Sequence, residues 1–317
     1  MTRTALARQQ QQQQQQQQRH VFRSSVVASA QRGGETSNHN TPAFAASAAV
    51  ALATSAAAAA LLLAAPAPAF ASDSTTTPTT TVYFGNGCFW GRQKDFVETE
   101  LKTLKRNPER VSAVSGYAAG TSSGPENKVC YHFNDPRQVY ERLGHAEVVA
   151  VELDGALSDD DSNSAKAQDE MRKFSKTYFS QFRRLRDGRL QRLDPQDAGP
   201  GYRNVVGLPG GVQSPLFEVL KSEAPQGIQL REGQGRKAEI GGAAEASSSA
   251  SGADEGDEIG VVWVVDSSKL PFYRAEQYHQ YHRGLEGSFP ASYLKGQRDV
   301  ALKAGRIDPT GCLEFPF

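Results

Sequence analysis

Regular alternation of hydrophobic and polar positions begins only near residue 80. Thr81 to Gly85 is short, β-branched and aromatic and ends in glycine, which predicts a buried strand. Phe96, Val97, Leu101 and Leu104 recur at helical spacing, so a helix is expected from about Trp90 to Lys105, ended by Asn107-Pro108. Val111 to Tyr117 reads as a second strand and Ala146 to Leu153 as a strong third. Asp159-Asp160-Asp161 marks a solvated loop within a flexible insertion near 154–170. Met171, Phe174, Tyr178, Phe179, Phe182 and Leu185 then form one apolar face of a long helix. Ser214-Pro215 ahead of Leu216 and Phe217 is an N-cap with proline in the first turn. From Ser222 to Glu258 the chain is rich in Gly, Ala, Ser and Glu, the composition of a second flexible insertion. Ile259 to Asp266 is a continuous apolar run, expected at the centre of a sheet, with a helix containing Arg274 to His282 after it.

Strands mixed with helices, without regular βαβ alternation, predict an α+β two-layer sandwich: a mixed β-sheet covered by helices. The first eighty residues do not fit such a domain. Ten consecutive glutamines (Gln9 to Gln18) lie among Arg3, Arg8, Arg19, Arg23 and Arg32, with no acidic residue before Glu35. An Arg-rich, acid-free start resembles an organelle transit peptide. Ala43 to Ala65 is uncharged and dominated by Ala and Leu, and Ala69-Phe70-Ala71 fits a signal-peptidase site. Transit-like first and signal-like second resembles bipartite targeting to a plastid and on to its thylakoid lumen. The secretory pathway and a membrane anchor are the alternatives, since the apolar block reaches the ~20 residues that span a bilayer. Residues 1–71 are therefore expected to be a removable targeting segment and 72–81 a polar tether. A single domain with its two insertions follows over 82–317.

Charge narrows the function. The chain has 35 basic and 35 acidic side chains, which argues against an electrostatic nucleic-acid binder. Its three cysteines, Cys88, Cys130 and Cys312, form no C-x-x-C pair, which excludes a zinc ribbon and leaves room for one reactive thiol with a distant partner. Thiol chemistry needs a thiolate, and a free cysteine pKa of ~8.5 leaves little of it at neutral pH. Cys88 falls where a strand ends and a helix begins, next to the positive end of the helix dipole. Gly85, Gly87 and Gly91 allow a tight turn and close approach. Phe89 and Trp90 can make an apolar slot for a methyl group beside sulfur. On these grounds alone a reactive Cys88 and an inert buried one remain equally open. His279-x-x-His282 is at most half a metal site. His145 would have to orient Cys88 to make a Cys-His hydrolase.

Gly87-Cys-Phe-Trp-Gly91 resembles the active-site motif of the A-type peptide methionine sulfoxide reductases. Gly116-Tyr117, Gly144-His-Ala-Glu147, Asp197-Ala-Gly-Pro-Gly-Tyr202-Arg203 and Ala275-Glu276 with Tyr278-His279-Gln280 resemble further segments of that family in order. The wording of Val82 to Val97 and the ending Asp308 to Phe317 look like a divergent plant and algal branch.

The resemblance implies a ferredoxin-like core, no cofactor and a monomer. It implies thiol-dependent reduction of the S epimer of methionine sulfoxide, free or in proteins. Cys88 would attack sulfur and become a sulfenic acid. Glu147 would protonate the departing oxygen, Tyr202 would hydrogen-bond it, and Asp197 would position that network. Phe89 and Trp90 would contact substrate, Cys312 on a mobile tail would resolve the sulfenic acid, and Cys130 would be structural. A thioredoxin-like dithiol would complete the cycle. The family's second tyrosine is missing from its usual place before Cys130, where Asn127 stands. Tyr202, Tyr117 and Tyr131 are the candidates to compensate. The competing readings are a non-catalytic module that binds oxidised methionine or a redox partner, and a thiol peroxidase.

Overall fold

A computed structural model describes residues 78–157, 161–239, 255–284 and 287–314. The proposed targeting segment, the glutamine run and most of the tether lie outside these residues. No helix among the described residues is long and apolar enough to cross a membrane.

The domain is α+β, with a seven-stranded mixed sheet and four α-helices among the described residues. Nine strands form in chain order: β1 (Thr79–Gly85), β2 (Val114–Ala118), β3 (Ala146–Asp154), β4 (Phe182–Arg184), β5 (Leu190–Arg192), β6 (Val205–Leu208), β7 (Gln229–Glu232), β8 (Val261–Asp266) and β9 (Tyr273–Arg274). The large sheet has the order β7-β8-β6-β1-β3-β2-β9, while β4 and β5 pair as a separate hairpin. β7, β8 and β6 run parallel to one another, and the remaining neighbours are antiparallel. The helices are α1 (Phe89–Glu98), α2 (Asp161–Ser180), α3 (Pro215–Glu223) and α4 (Arg298–Lys303). A wider π turn, Thr99–Thr103, extends α1.

Strand alternation separates two faces. Val82, Phe84, Val149, Val151, Leu153, Val206, Val262 and Val264 share one core with Phe89, Phe96, Met171, Phe174, Tyr178 and Leu216 from the helices. Tyr83, Val148, Val205, Val261, Trp263 and Val265 pack on the other face with Leu270 and Phe272. Glu147 has the parity of Val149 and Val151, so it lies on the helix face. A buried cluster ties α1 to α2: Arg106 meets Glu100 and Glu170 at 2.6 Å each. Ser214 accepts a hydrogen bond from the Leu216 amide, as an N-cap should.

Several expectations fail for identifiable reasons. Residues 261–266 are not central: β7 covers their outer side, and β1 holds the middle of the sheet. A wholly apolar strand reports burial on both faces, not lateral position. Arg274 to His282 is not a helix. Tyr273 pairs with Tyr117, the Ala275 amide donates to Ser115 O, and Gln280 bonds both backbone groups of Ser115. Tyr281 takes φ 50°, which an α-helix cannot accommodate. The described parts of both expected insertions contain regular structure, since α2 starts at Asp161 and the second carries the end of α3 and all of β7; residues 158–160 and 240–254 lie outside the described residues. The long helix stops at Ser180, and Phe182 opens β4 instead.

Candidate active site

Cys88 is the N-cap of α1, in extended conformation directly after β1. Two glycines make that corner possible. A Cβ on Gly85 would lie 2.5 Å from Glu147 O, so its absence lets β1 close on β3. Gly87 turns the chain at φ 82°. The first free amide of α1, Phe89 N–H, donates to Glu147 Oε2 at 3.0 Å. The helix start therefore gathers the thiol and the carboxyl at one point.

Cys88 is the free cysteine among the described residues and is half-buried. Its pKa does not fall, as the helix dipole alone would predict. Burial raises it well above the ordinary value, the charges of Glu147 and Asp197 add to this, and the Trp90 amide pulls the other way. Glu147 is itself 2 % exposed, and burial lifts its pKa well above the usual carboxylate range. A neutral Glu147 removes one of the charges that oppose a Cys88 thiolate.

The loop before β6 brings Asp197 and Tyr202 to this point. Burial, then the neighbouring Asp194, raises Asp197 to about 6. The Tyr202 pKa is raised by burial and then by the charges of Glu147 and Asp197, while Tyr140 pulls it the other way. Gly87 N–H donates to Tyr202 O at 2.9 Å.

Arg192 holds the loop in place. It donates to Tyr202 O at 2.9 Å and Asp197 O at 2.8 Å, and grips Asp257 at 2.7 and 2.9 Å. Asp257 also accepts from Gly199 N–H. Alongside, Arg203 donates to Pro200 O and Ala119 O and lies 3.4 Å from Glu255. Asp257 and Glu255 come from the stretch expected to be a flexible insertion.

Aromatic rings line the site. Phe89 is buried against Tyr117 and His279, whereas Trp90 remains half-exposed. Trp90 stacks on His282 at 3.5 Å and donates from Nε1 to His279 Nδ1. His282 Nδ1 accepts from the Gly284 amide. The two histidines are thus framing for Trp90. His145 is buried elsewhere, its ring bonded to Gly120 N and Ser122 O, which removes it from any Cys-His pairing with Cys88.

Of the tyrosines considered as replacements, Tyr117 is committed to Glu276 at 2.8 Å. Tyr131 is half-buried and close enough for the charge of Cys88 to raise its pKa, after burial and the charges of Glu147 and Tyr202. Sequence reasoning missed Tyr140, whose hydroxyl lies 3.4 Å from Glu147 Oε1 and whose ring stacks on Tyr117 at 4.6 Å. The available signal was its position just ahead of Gly144-His-Ala-Glu147.

Cys312 does not stand as a free thiol beside Cys88. It is bonded to Cys130, with Cα atoms 5.8 Å apart. Its tail is tethered: Leu313 N–H donates to Asn134 Oδ1, and Glu314 accepts from the Gln277 and Thr310 amides.

No family model matches this chain, and no curated protein does. Among solved structures it is similar to methionine sulfoxide reductase A of Corynebacterium diphtheriae. That similarity has a TM-score of 0.34 and 18% identity over 64% of this chain and 72% of the other. It is too slight to bear on fold or activity.

Proposed function

We propose that the chain is an oxidoreductase that reduces the S epimer of methionine sulfoxide, free or in proteins, by thiol chemistry at Cys88. The reading rests on one juxtaposition: a free cysteine and a buried carboxyl, its pKa raised by burial, share the start of α1, with Tyr140 and Tyr202 around the carboxyl. The five ordered motifs and the ferredoxin-like core they imply belong to the same proposal.

Cys88, as thiolate, attacks the sulfoxide sulfur. The sulfur–oxygen bond breaks, and oxygen passes to Cys88 as OH with its proton from Glu147. Substrate sulfur gains two electrons, Cys88 loses two, and methionine leaves. Tyr202 and Tyr140 hydrogen-bond the oxygen as charge develops. Trp90 offers its half-exposed ring to the methyl group.

The Cys88 sulfenic acid condenses with the Cys312 thiol, releasing water. Cys130 thiolate then displaces Cys88 from Cys312. The Cys130–Cys312 bridge is the end state of that relay, and a thioredoxin-like dithiol reopens it. Residues 1–71 deliver the protein to a plastid in this reading.

With a dithiol, the protein should convert the S epimer and spare the R epimer, and Cys88→Ser should abolish turnover; no turnover by the wild type sinks the reading. Fully reduced protein given one equivalent of sulfoxide should form Cys130–Cys312, whereas Cys130→Ser should stop at Cys88–Cys312. A persistent Cys88 sulfenic acid beside free Cys130 and Cys312 thiols would overturn the relay. Unchanged thiols with bound sulfoxide would indicate a binding module instead.

A further inference from the structure

Glu147 is buried and gives up a proton in each turnover of the proposed reaction, so it must be recharged from solvent. The Tyr140 hydroxyl lies 3.4 Å from Glu147 Oε1 and 3.4 Å from Glu141 Oε1. Tyr140 is 1 % exposed, whereas Glu141 reaches the surface. One hydroxyl thus stands between an interior carboxyl and a solvent-facing one.

Glu141 is turned inward across Gly201, the neighbour of Tyr202. A Cβ on Gly201 would lie 2.9 Å from both Glu141 Cγ and Oε1, and 3.2 Å from Tyr140 Cε2. The missing side chain is what leaves room for this arrangement. Among the described residues no lysine or arginine pairs with Glu141. The charged group facing it from its surroundings is Glu239, which together with burial raises its pKa. Tyr140 is faced by Glu147, Tyr202, Tyr131 and Glu141. Glu147 is faced by Asp197 and Glu141, with the Phe89 amide and Tyr140 bonded to it. No cation fixes Glu141 as a carboxylate, so it can arrive at Tyr140 carrying a proton.

We infer that Glu141, Tyr140 and Glu147 form a proton relay that reprotonates the buried acid between turnovers. This rests on the sulfoxide chemistry proposed above. Glu141 passes its proton to the Tyr140 oxygen as the tyrosine's own proton moves to the Glu147 carboxylate. The phenol stays neutral throughout, and Glu141 takes a new proton from water. One proton enters by this route per cycle. It balances the one that leaves the Cys88 thiol for solvent before attack.

The test compares first and later turnovers of the full chain, starting fully reduced with Glu147 protonated and using saturating small dithiol. Glu141→Gln keeps size and polarity but cannot carry the proton. It should release the first equivalent of methionine within about twofold of the wild-type rate. Later turnovers should slow at least about tenfold, below the ~10²–10⁴ of full general acid–base catalysis. Added formate or acetate should restore Glu141→Ala by supplying protons to the vacated position. Equal steady-state rates in wild type and Glu141→Gln across pH overturn the relay. So does a first turnover that slows as much as the rest, which would make Glu141 merely structural. Failure of the wild type to release any methionine would instead overturn the proposed function.

Discussion

The two halves of the candidate site are built by different means. Cys88 and Glu147 sit at the edges of regular elements, the N-cap of α1 and the start of β3, and meet through one amide of α1. Asp197, Tyr202 and Cys312 sit on irregular chain, held by a buried Arg192–Asp257 pair and by the Cys130–Cys312 bridge. Backbone pairing makes the first half rigid without help. The second half depends on side-chain contacts, between Arg192 and Asp257, 65 positions apart, and between the bridged cysteines, 182 positions apart. In the proposed reaction the attacking thiol and its acid belong to the scaffold, and the groups that would position or recycle them belong to loops.

The sharpest way to isolate the first half is Glu147→Gln. It should retain the fold and cut turnover by ~10²–10⁴, the worth of a general acid. Wild-type activity should fall as pH rises through the raised Glu147 pKa, and the variant should lose that limb.

The loop-borne half breaks most directly at its ion pair. Asp257→Ala leaves Arg192 buried and unpaired, which should cost about 3–5 kcal/mol in denaturant unfolding. Activity should fall because Asp197 and Tyr202 lose their anchor. Stability unchanged from wild type would show that the loop holds itself.

Removing the bridge with Cys130→Ser and Cys312→Ser together should lower stability by about 2–4 kcal/mol relative to oxidised wild type. Turnover driven by a small thiol that reduces Cys88 directly should survive, while turnover driven by a thioredoxin-like donor should be lost.

The smallest effect concerns Asp197. Its folded pKa, near 6, is above the unfolded value near 4, so folding favours its protonated form. That contribution is fully present below about pH 4 and is lost as pH rises through about 6. Asp197→Asn should flatten stability over this window, measured by unfolding at fixed intervals of pH.

Much of the first half was legible. Strand-to-helix placement of Cys88 follows from Val82 to Gly85 and the helical spacing after it, because local periodicity encodes local structure. Strand parity put Glu147 on one face with Val149 and Val151, and the ordered motifs singled it out. The stretch 222–258 misled because its composition is that of a solvated linker. Composition cannot report that Asp257 finds a buried arginine 65 residues away. Tyr140 was passed over although its partners Glu141 and Glu147 lie within seven positions, because no local pattern shows that its hydroxyl turns to meet them. Cys312 was singled out as the resolving thiol, but which cysteine it bonds is a matter of distance that spacing does not contain.

The chain by itself therefore determined its main strands, the N-cap of α3 and the corner that carries Cys88, since these depend on residues within a few positions; the meeting of that corner with Glu147, 58 positions beyond Phe89, belongs to the fold. Only the tertiary structure decided the order of strands in the sheet, the anchoring of the Asp197–Tyr202 loop, the partner of Cys312 and the line from Glu141 through Tyr140 to Glu147. The first three depend on chain segments far apart in sequence reaching hydrogen-bonding or bonding distance, and the last on how the short stretch from Tyr140 to Glu147 turns back on itself. That condition is set by packing of the whole domain and is not written in any local pattern.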